Sequence, residues 1–422
     1  MDFPRRLLAS ESGVSNLHMI QKDFESITTE DIKALVANAV SEDRTLEYKE
    51  QLPGRSDEET REFLADVSSF ANAGGGDLIY GIREQRDGNG RPTGTPESPE
   101  GLSGANADAE KGRLESMLRD GIDPRIPAVR FRHFDGFPAG PIIICRIPKS
   151  WASPHMVKFK NLSRFHSRTS RGKYQLDVRE LRASFLASES LSDRISAFRL
   201  GRVGKILAGE APLSLEPSPK LVLHLLPIRG FSEPTAVDLQ AAHSEWLQGN
   251  IRPVPMGRPN QWGPAEFNFD GLLFAGSSGT SPVGYIQLFR NGAMEAVCAR
   301  IARDTIIFGV TFEQELMRAL KPYIEFQKLL GFGPPLFIAL TLISVGKFMI
   351  LPAEPGPFDT WGFAKPIDRD VLLASEVLVE EDQGDFGHGL RPALDSIWQA
   401  SGWPGSQGYD NSGKWVGYAR RT

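Results

Sequence analysis

Residues 69–84, SFANAGGGDLIYGIRE, constrain this chain's fold more than any other stretch. Upstream, Phe63, Val67, Phe70 and Ala71 recur at helical spacing behind a Ser56–Glu59 capping box, so an amphipathic helix runs into the glycines. Downstream, DLIYGI is a short apolar run of strand type. Three consecutive glycines are costly to order. Here they stop a helix and hand the chain to a buried strand, which an α+β layer requires. They also leave backbone bare enough for a bound phosphate or base to approach. Both readings are open at this level.

The rest of the chain extends the α+β pattern. A Thr28–Asp31 capping box opens a helix carrying Ile32, Leu35, Val36 and Val40. TLEYKEQL alternates Leu46 and Tyr48 with Glu47 and Lys49, a strand with one polar face. A Gly-, Pro- and Asn-rich loop is expected over 87–106, then a helix over 109–118 and strands over 129–134 and 141–147. PHMVKFKN and SRFHSRTS read as a hairpin-like pair, and Asp177 with Glu180 caps a closing helix. The expected organisation is an N-terminal extension (1–27), an α+β domain (28–187), a connecting helix with a Pro/Ser-rich linker (188–219), and a second α+β domain (220–422). In the second domain, two strands meet at Asn291–Gly292, a two-residue hairpin turn by sequence. Helix-like FEQELMRAL and YIEFQKLLG then precede the apolar strand FIALTLISV, and a last helix is expected over 391–400.

Two cysteines, Cys145 and Cys298, exclude a disulfide framework or a cysteine-rich zinc site and fit a reducing, cytoplasmic compartment. No signal peptide is expected, and the longest apolar run, 336–345, is half a membrane span, so no membrane partner is expected. Net charge is only −5, but it is unevenly spread. Residues 22–123 hold 23 acids against 12 lysines and arginines, and residues 125–182 hold 13 lysines and arginines against 3 acids. Such a division suits a basic surface for a polyanion beside a carboxylate-rich site, unless the fold intermixes the two halves.

Glu47 and Lys49 fall on one face of one strand. A carboxylate and an ammonium so placed suit a metal-dependent nuclease, the first holding a divalent cation and the second positioning water and offsetting phosphate charge. Glu42 stands at the strand's entrance and Glu84 just beyond DLIYGI. If the two strands are neighbours, these carboxylates converge on one hard cation. The alternative is a solvated strand face. Arg164, His166 and Arg168 alternate toward one side of a later strand, with Arg171 and Lys173 in the turn that follows. A row of this kind grips phosphates, or else protects a solvated strand edge.

Together, SEDRTLEYKE, SFANAGGGDLIYGI and SRFHSRTSRGKYQLDVRELR resemble the Schlafen AlbA-like domain family over residues 28–187. The resemblance implies a mixed sheet with helices that binds nucleic acid, RNA or DNA. In Schlafen nucleases it further implies three carboxylates that cut tRNA or related RNA with Mg²⁺ or Mn²⁺. By motif these are Glu42, Glu47 and Glu84, the last replacing an aspartate and reaching one methylene further, with Lys49 beside them. The zinc-ligand set of animal Schlafens has no counterpart, so no zinc is expected. Bacterial relatives described as DNA- or ATP-binding keep two alternatives beside an endoribonuclease of stress or phage defence. One is a non-catalytic DNA-binding regulator; the other is a nucleotide-binding module built on Gly74, Gly75 and Gly76.

On this reading Gly74 takes the left-handed conformation that ends the helix. Gly75 and Gly76 leave backbone bare beside the carboxylates, and Asn72 bonds its own turn or a ligand. Asn72, Gly75 and Gly76 thus join Arg164, His166, Arg168, Arg171 and Lys173 as expected nucleic-acid contacts. The second domain is read as a sensor or as the element that sets a homo-oligomer. GYDNSGKW near the end falls short of a phosphate-binding loop, because Trp415 stands where a Ser or Thr is needed.

Overall fold

Both N-terminal capping boxes form as reciprocal hydrogen bonds: Thr28 with Asp31 starts α1 (Thr29–Ala37), and Ser56 with Glu59 starts α2 (Asp57–Asn72). The computed structural model describes residues 22, 24–249, 251–352, 364–380 and 386–417. The chain divides into two compact units, residues 1–188 and 189–422, both of mixed α and β structure.

In the first unit β1 (Leu46–Lys49) lies between the two helices in sequence, and β2 (Gly75–Tyr80) follows α2. Next come β3 (Arg83–Arg86), β4 (Pro92–Ser98), α3 (Ala107–Gly121), β5 (Ile122–Asp123), β6 (Arg130–Phe134) and β7 (Ile142–Pro148). The unit ends in β8 (Met156–Phe159), β9 (Leu162–Thr169), β10 (Gly172–Gln175) and the start of α4 (Val178–Leu207). One sheet has the order β1-β2-β7-β6 and is parallel only between β1 and β2; the other, β10-β9-β8-β5, is antiparallel.

Helix α2 packs on both sheets, which buries Phe63 through Ala71 without a break. Its apolar side chains join Leu78, Tyr80, Ile143 and Cys145 in one cluster. The opposite face of the first sheet, with Leu46, Tyr48, Ile79 and Ile144, closes against Ile32 of α1 and Phe24. That alternation leaves Glu47 and Lys49 on the α2 side of β1, half-buried and beside the second sheet.

Several local expectations change. The loop over 87–106 contains β4, which pairs with β3 in a two-stranded ribbon of irregular register. Its sequence PTGTPES has two prolines and a glycine, so propensity argued against it. Strand β10 was likewise not expected. The closing helix and the connecting helix are one element, α4, and its 30 residues run past the expected boundary at 187. The Asp177–Glu180 box still caps its start, with both bonds formed at 2.8 and 2.9 Å.

In the second unit, antiparallel strands stand in the order Gly271–Ser278, Ser281–Phe289, Met294–Cys298, Lys220–Pro227, Leu336–Ile343. The turn at Asn291–Gly292 is looser than expected. Phe289 N–H bonds Ala293 O across three residues, and Gly292 alone takes a left-handed φ of +81°. Helix Gly309–Leu329 runs through Pro322 as a single element, covering both helix-like segments. With helix Gly387–Gln399 it supplies much of the core against this sheet, including Phe312, Leu316, Leu394 and Trp398. Among the described residues no helix is long and apolar enough to cross a membrane.

Candidate functional site

The site grows from the polar face of β1. Glu47 Oε1 accepts a bond from Lys49 Nζ at 2.6 Å, and its Oε2 lies 2.9 Å from Arg168 Nη1 on β9. Arg168 is only 5% exposed, and its guanidinium lies over the Phe70 ring of α2. Lys49 Nζ is also 3.6 Å from Asp66 Oδ2. Asp66, on α2 and 2% exposed, accepts from Lys173 Nζ of β10 at 2.5 Å, and Lys173 bonds Glu62 as well. Arg168, Glu47, Lys49, Asp66, Lys173 and Glu62 thus form one chain of alternating charge that ties β1, α2, β9 and β10 together. A cleft of about 450 Å³ opens over it, reaching Glu42 and Gly94 on one side and Arg171 on the other.

Each group's ionisation follows from this packing. Burial works against charge on Glu47, but Lys49 and Arg168 outweigh it and hold the carboxyl below its usual range. Burial and then the Glu47 charge push Asp66 up. Burial opposes the Lys49 ammonium, yet Asp66 and Glu47 raise its pKa above the ordinary lysine value. Glu42 is the outlier. Burial, with the charges of Glu84 and Glu47, raises it to about 7, even though its Oε1 accepts Tyr48 N–H at 2.6 Å.

The three glutamates expected to converge lie within electrostatic reach of one another. Gly94 of β4 joins two of them: its carbonyl accepts Glu42 N–H at 2.6 Å and its own N–H donates to Glu84 at 3.1 Å. Burial raises Glu84 as well. As placed here, the protein's own groups engage all three, however. Glu47 faces Lys49 and Arg168 with its two oxygens, Glu42 and Glu84 each hold a backbone N–H, and among the described residues no three His, Cys, Asp or Glu side chains are placed to hold a metal.

The expected nucleic-acid contacts divide. Asn72 is a clamp rather than a ligand contact: Nδ2 donates to His155 O and His166 O at 2.9 and 2.8 Å, while Oδ1 accepts His155 N–H at 2.7 Å. Gly75 and Gly76 are bare for the protein's own backbone. A Cβ at Gly75 would lie 2.5 Å from Lys149 N, and one at Gly76 would lie 2.4 Å from Thr45 O and 2.6 Å from Phe70. The left-handed residue is Gly75, with φ +74°, not Gly74. Arg168 is buried and paired, and Lys173 is paired twice. His166 is half-buried, and burial followed by the charges of Lys173 and Arg164 lowers its pKa.

Arg164 and Arg171 remain exposed. Among the described residues Arg164 donates only to neutral Gln175 Oε1, at 3.1 Å, and Arg171 has no ion-pair partner. Part of the uneven charge is resolved inside the fold. Arg146 pairs with Asp77, Lys160 with Asp57, Arg168 with Glu47, and Lys173 with Glu62 and Asp66.

Sequence reasoning missed Asp66 and Glu62. A signal was present for the first: an aspartate inside FLADVSSFAN, a run otherwise of apolar and small residues, is a charge that must be paired when buried.

Residues 42–177 match the family described as Schlafen, AlbA_2, so the N-terminal unit carries a Schlafen AlbA-like domain. No curated protein matches the chain. Among solved structures, the solution NMR structure of the N-terminal domain of a RecG-related protein from Nitrosomonas europaea is similar over 32% of this chain and 86% of that one, with 20% identity and a TM-score of 0.24.

Proposed function

We propose that the N-terminal unit binds nucleic acid, holding the sugar–phosphate backbone along the β9–β10 hairpin at the mouth of the cleft. The observation that carries this reading is the pair Arg164 and Arg171, two exposed guanidiniums with no carboxylate on them, on a hairpin whose other two cations, Arg168 and Lys173, are held by carboxylates. Guanidinium suits this task because its planar fork meets phosphate oxygens in two bonds. The Schlafen AlbA_2 match supports the same reading.

Anisotropy of labelled RNA and duplex DNA across a salt series tests it. Binding is expected to weaken steeply with salt. An Arg164→Ala/Arg171→Ala variant should flatten the log–log slope by about 1.5, two phosphate contacts' worth. An unchanged slope would overturn the placement.

The nearness of Glu42, Glu47 and Glu84 to one another and to Lys49 supports a second reading, Mg²⁺- or Mn²⁺-dependent cleavage of tRNA or other structured RNA, which requires Glu47 to exchange Lys49 or Arg168 for the cation. Perturbed carboxyls in a cleft are a recurrent mark of catalysis. Metal-dependent cutting of labelled tRNA that a Glu42→Gln/Glu47→Gln variant lacks would support it. Intact binding with no cutting would leave a binding module, with a DNA-binding regulator as the remaining alternative.

A further inference from the structure

Arg44, at the entrance to β1, adds to Arg164 and Arg171 another exposed guanidinium with no ion-pair or hydrogen-bond partner among the described residues. Its Nε lies 3.9 Å from where a Cβ on Gly74 would stand, and its charge is within electrostatic reach of Tyr174 on β10. Tyr174 is 38% exposed, an open aromatic ring in the short strand GKYQ. Its hydroxyl donates to Glu180 Oε1 at 2.9 Å, and Glu180 Oε2 accepts Asp177 N–H in the cap of α4. The ring is therefore fixed before anything binds, and with its hydroxyl engaged it offers carbon outward. Tyr174 pairs with Ser167, which puts the ring on the same face of the hairpin as Phe165. The Phe165 ring meets the exposed Phe185 ring edge to face at 6.1 Å, so aromatic surface continues along that face. Arg171 stands in the turn just before Tyr174, and it lines the cleft together with Asp43, the neighbour of Arg44.

These features select a mode of binding. Unpaired guanidiniums beside an anchored, open ring match a polyanion that carries flat bases. A tyrosine whose hydroxyl is already bonded does not read a base edge, so its part is stacking, which tolerates any base. Stacking on a side chain needs a base free of its neighbours, which a single strand supplies cheaply and a duplex supplies only by unpairing. We infer that the β9–β10 hairpin takes a single strand, one base stacked on Tyr174 and the adjoining phosphates held by Arg44 and Arg171. The inference rests on the nucleic-acid reading above and adds the form of the strand and a further arginine that holds it.

Anisotropy of labelled single-stranded RNA and DNA, beside duplexes of equal length, tests it with the full chain. At fixed salt the wild type is expected to bind one of the single strands more tightly than either duplex. Tyr174→Ala should weaken that binding about tenfold, the scale of one stacked base, and leave duplex binding unchanged. Tyr174→Leu keeps carbon bulk without a π-face and should fall with it. Tyr174→Phe keeps the ring, loses only the bond to Glu180, and should stay within about twofold of wild type. Arg44→Ala should lower the log–log salt slope for the single strand by about 0.7, one phosphate contact. Tyr174→Phe as weak as Tyr174→Ala, or Tyr174→Leu as tight as wild type, would overturn the stacking. Duplex bound as tightly as single strand would overturn the form of the strand. In both cases salt-sensitive binding that persists leaves the nucleic-acid reading standing, whereas no salt-sensitive binding to any of the four probes would overturn that reading as well.

Discussion

Arg168 lies over the Phe70 ring, its guanidinium carbon 3.6 Å from the centroid, with Nη1 reaching Glu47 at 2.9 Å. One side chain therefore joins β9 to α2 through an aromatic ring and to β1 through a carboxylate. Lysine has no planar group to stack in that position. Arg168→Lys is expected to cost about 2 kcal/mol, and Arg168→Ala, which leaves Glu47 with Lys49 alone, about 3 kcal/mol. Urea denaturation measures both. Losses under about 0.5 kcal/mol would mean the pair behaves as a surface salt bridge.

Glu42 makes stability depend on pH in a stated direction. Its carboxyl holds a proton up to about 7 in the folded chain, against an ordinary value of 4.5. Folding therefore takes up a proton between those values. Its stabilising contribution is complete below pH 4.5 and is lost as pH rises through 7. Glu42→Gln stays neutral throughout and keeps an oxygen for Tyr48 N–H. Relative to wild type it should gain on the order of 2 kcal/mol between pH 4.5 and 8. Parallel stability–pH curves for the two proteins would refute this.

The glycine run makes a paired prediction. Gly74 lacks a left-handed φ, and a Cβ there meets nothing nearer than Arg44 Nε at 3.9 Å, so Gly74→Ala should change stability by less than about 0.5 kcal/mol. Gly75 combines φ +74° with backbone at 2.5 Å, so Gly75→Ala should cost about 2 kcal/mol or more. Thermal melting of both variants checks the contrast. Equal effects would mean that the run acts only through its flexibility.

What could be read in the sequence was what local chemistry decides. The Thr28–Asp31, Ser56–Glu59 and Asp177–Glu180 boxes depend on residues three apart, and all three form. Period-two alternation likewise put Glu47 and Lys49 on one face. Which cations are left for a ligand was not legible, because it depends on tertiary register. Lys173 meets Asp66 across 107 residues, and Asn72 meets His155 and His166 across 83 and 94. A one-residue slip of β10 would turn Lys173 away from α2 and change the outcome. Strand β4 escaped notice for a related reason: its pairing with β3, not its propensity, makes it a strand.

The second unit holds a charge network around a fully buried carboxylate. Glu295, 0% exposed, accepts from Arg202 Nε and Nη2 at 2.9 Å each, from the Tyr285 hydroxyl at 2.8 Å, and lies 3.1 Å from His224 Nε2. Burial opposes its ionisation, but the His224 and Arg202 bonds outweigh it and hold the carboxyl at about 2. Removing one partner strands the other, because a guanidinium without a counter-ion cannot shed its charge at these pH values. Glu295→Leu alone should cost about 3–5 kcal/mol, and so should Arg202→Met alone. The double variant removes both charges and restores carbon packing, so it should cost clearly less than the sum, with coupling on the order of 2 kcal/mol. Strictly additive losses in denaturation would mean that each residue packs independently and that the pair does not act as one unit.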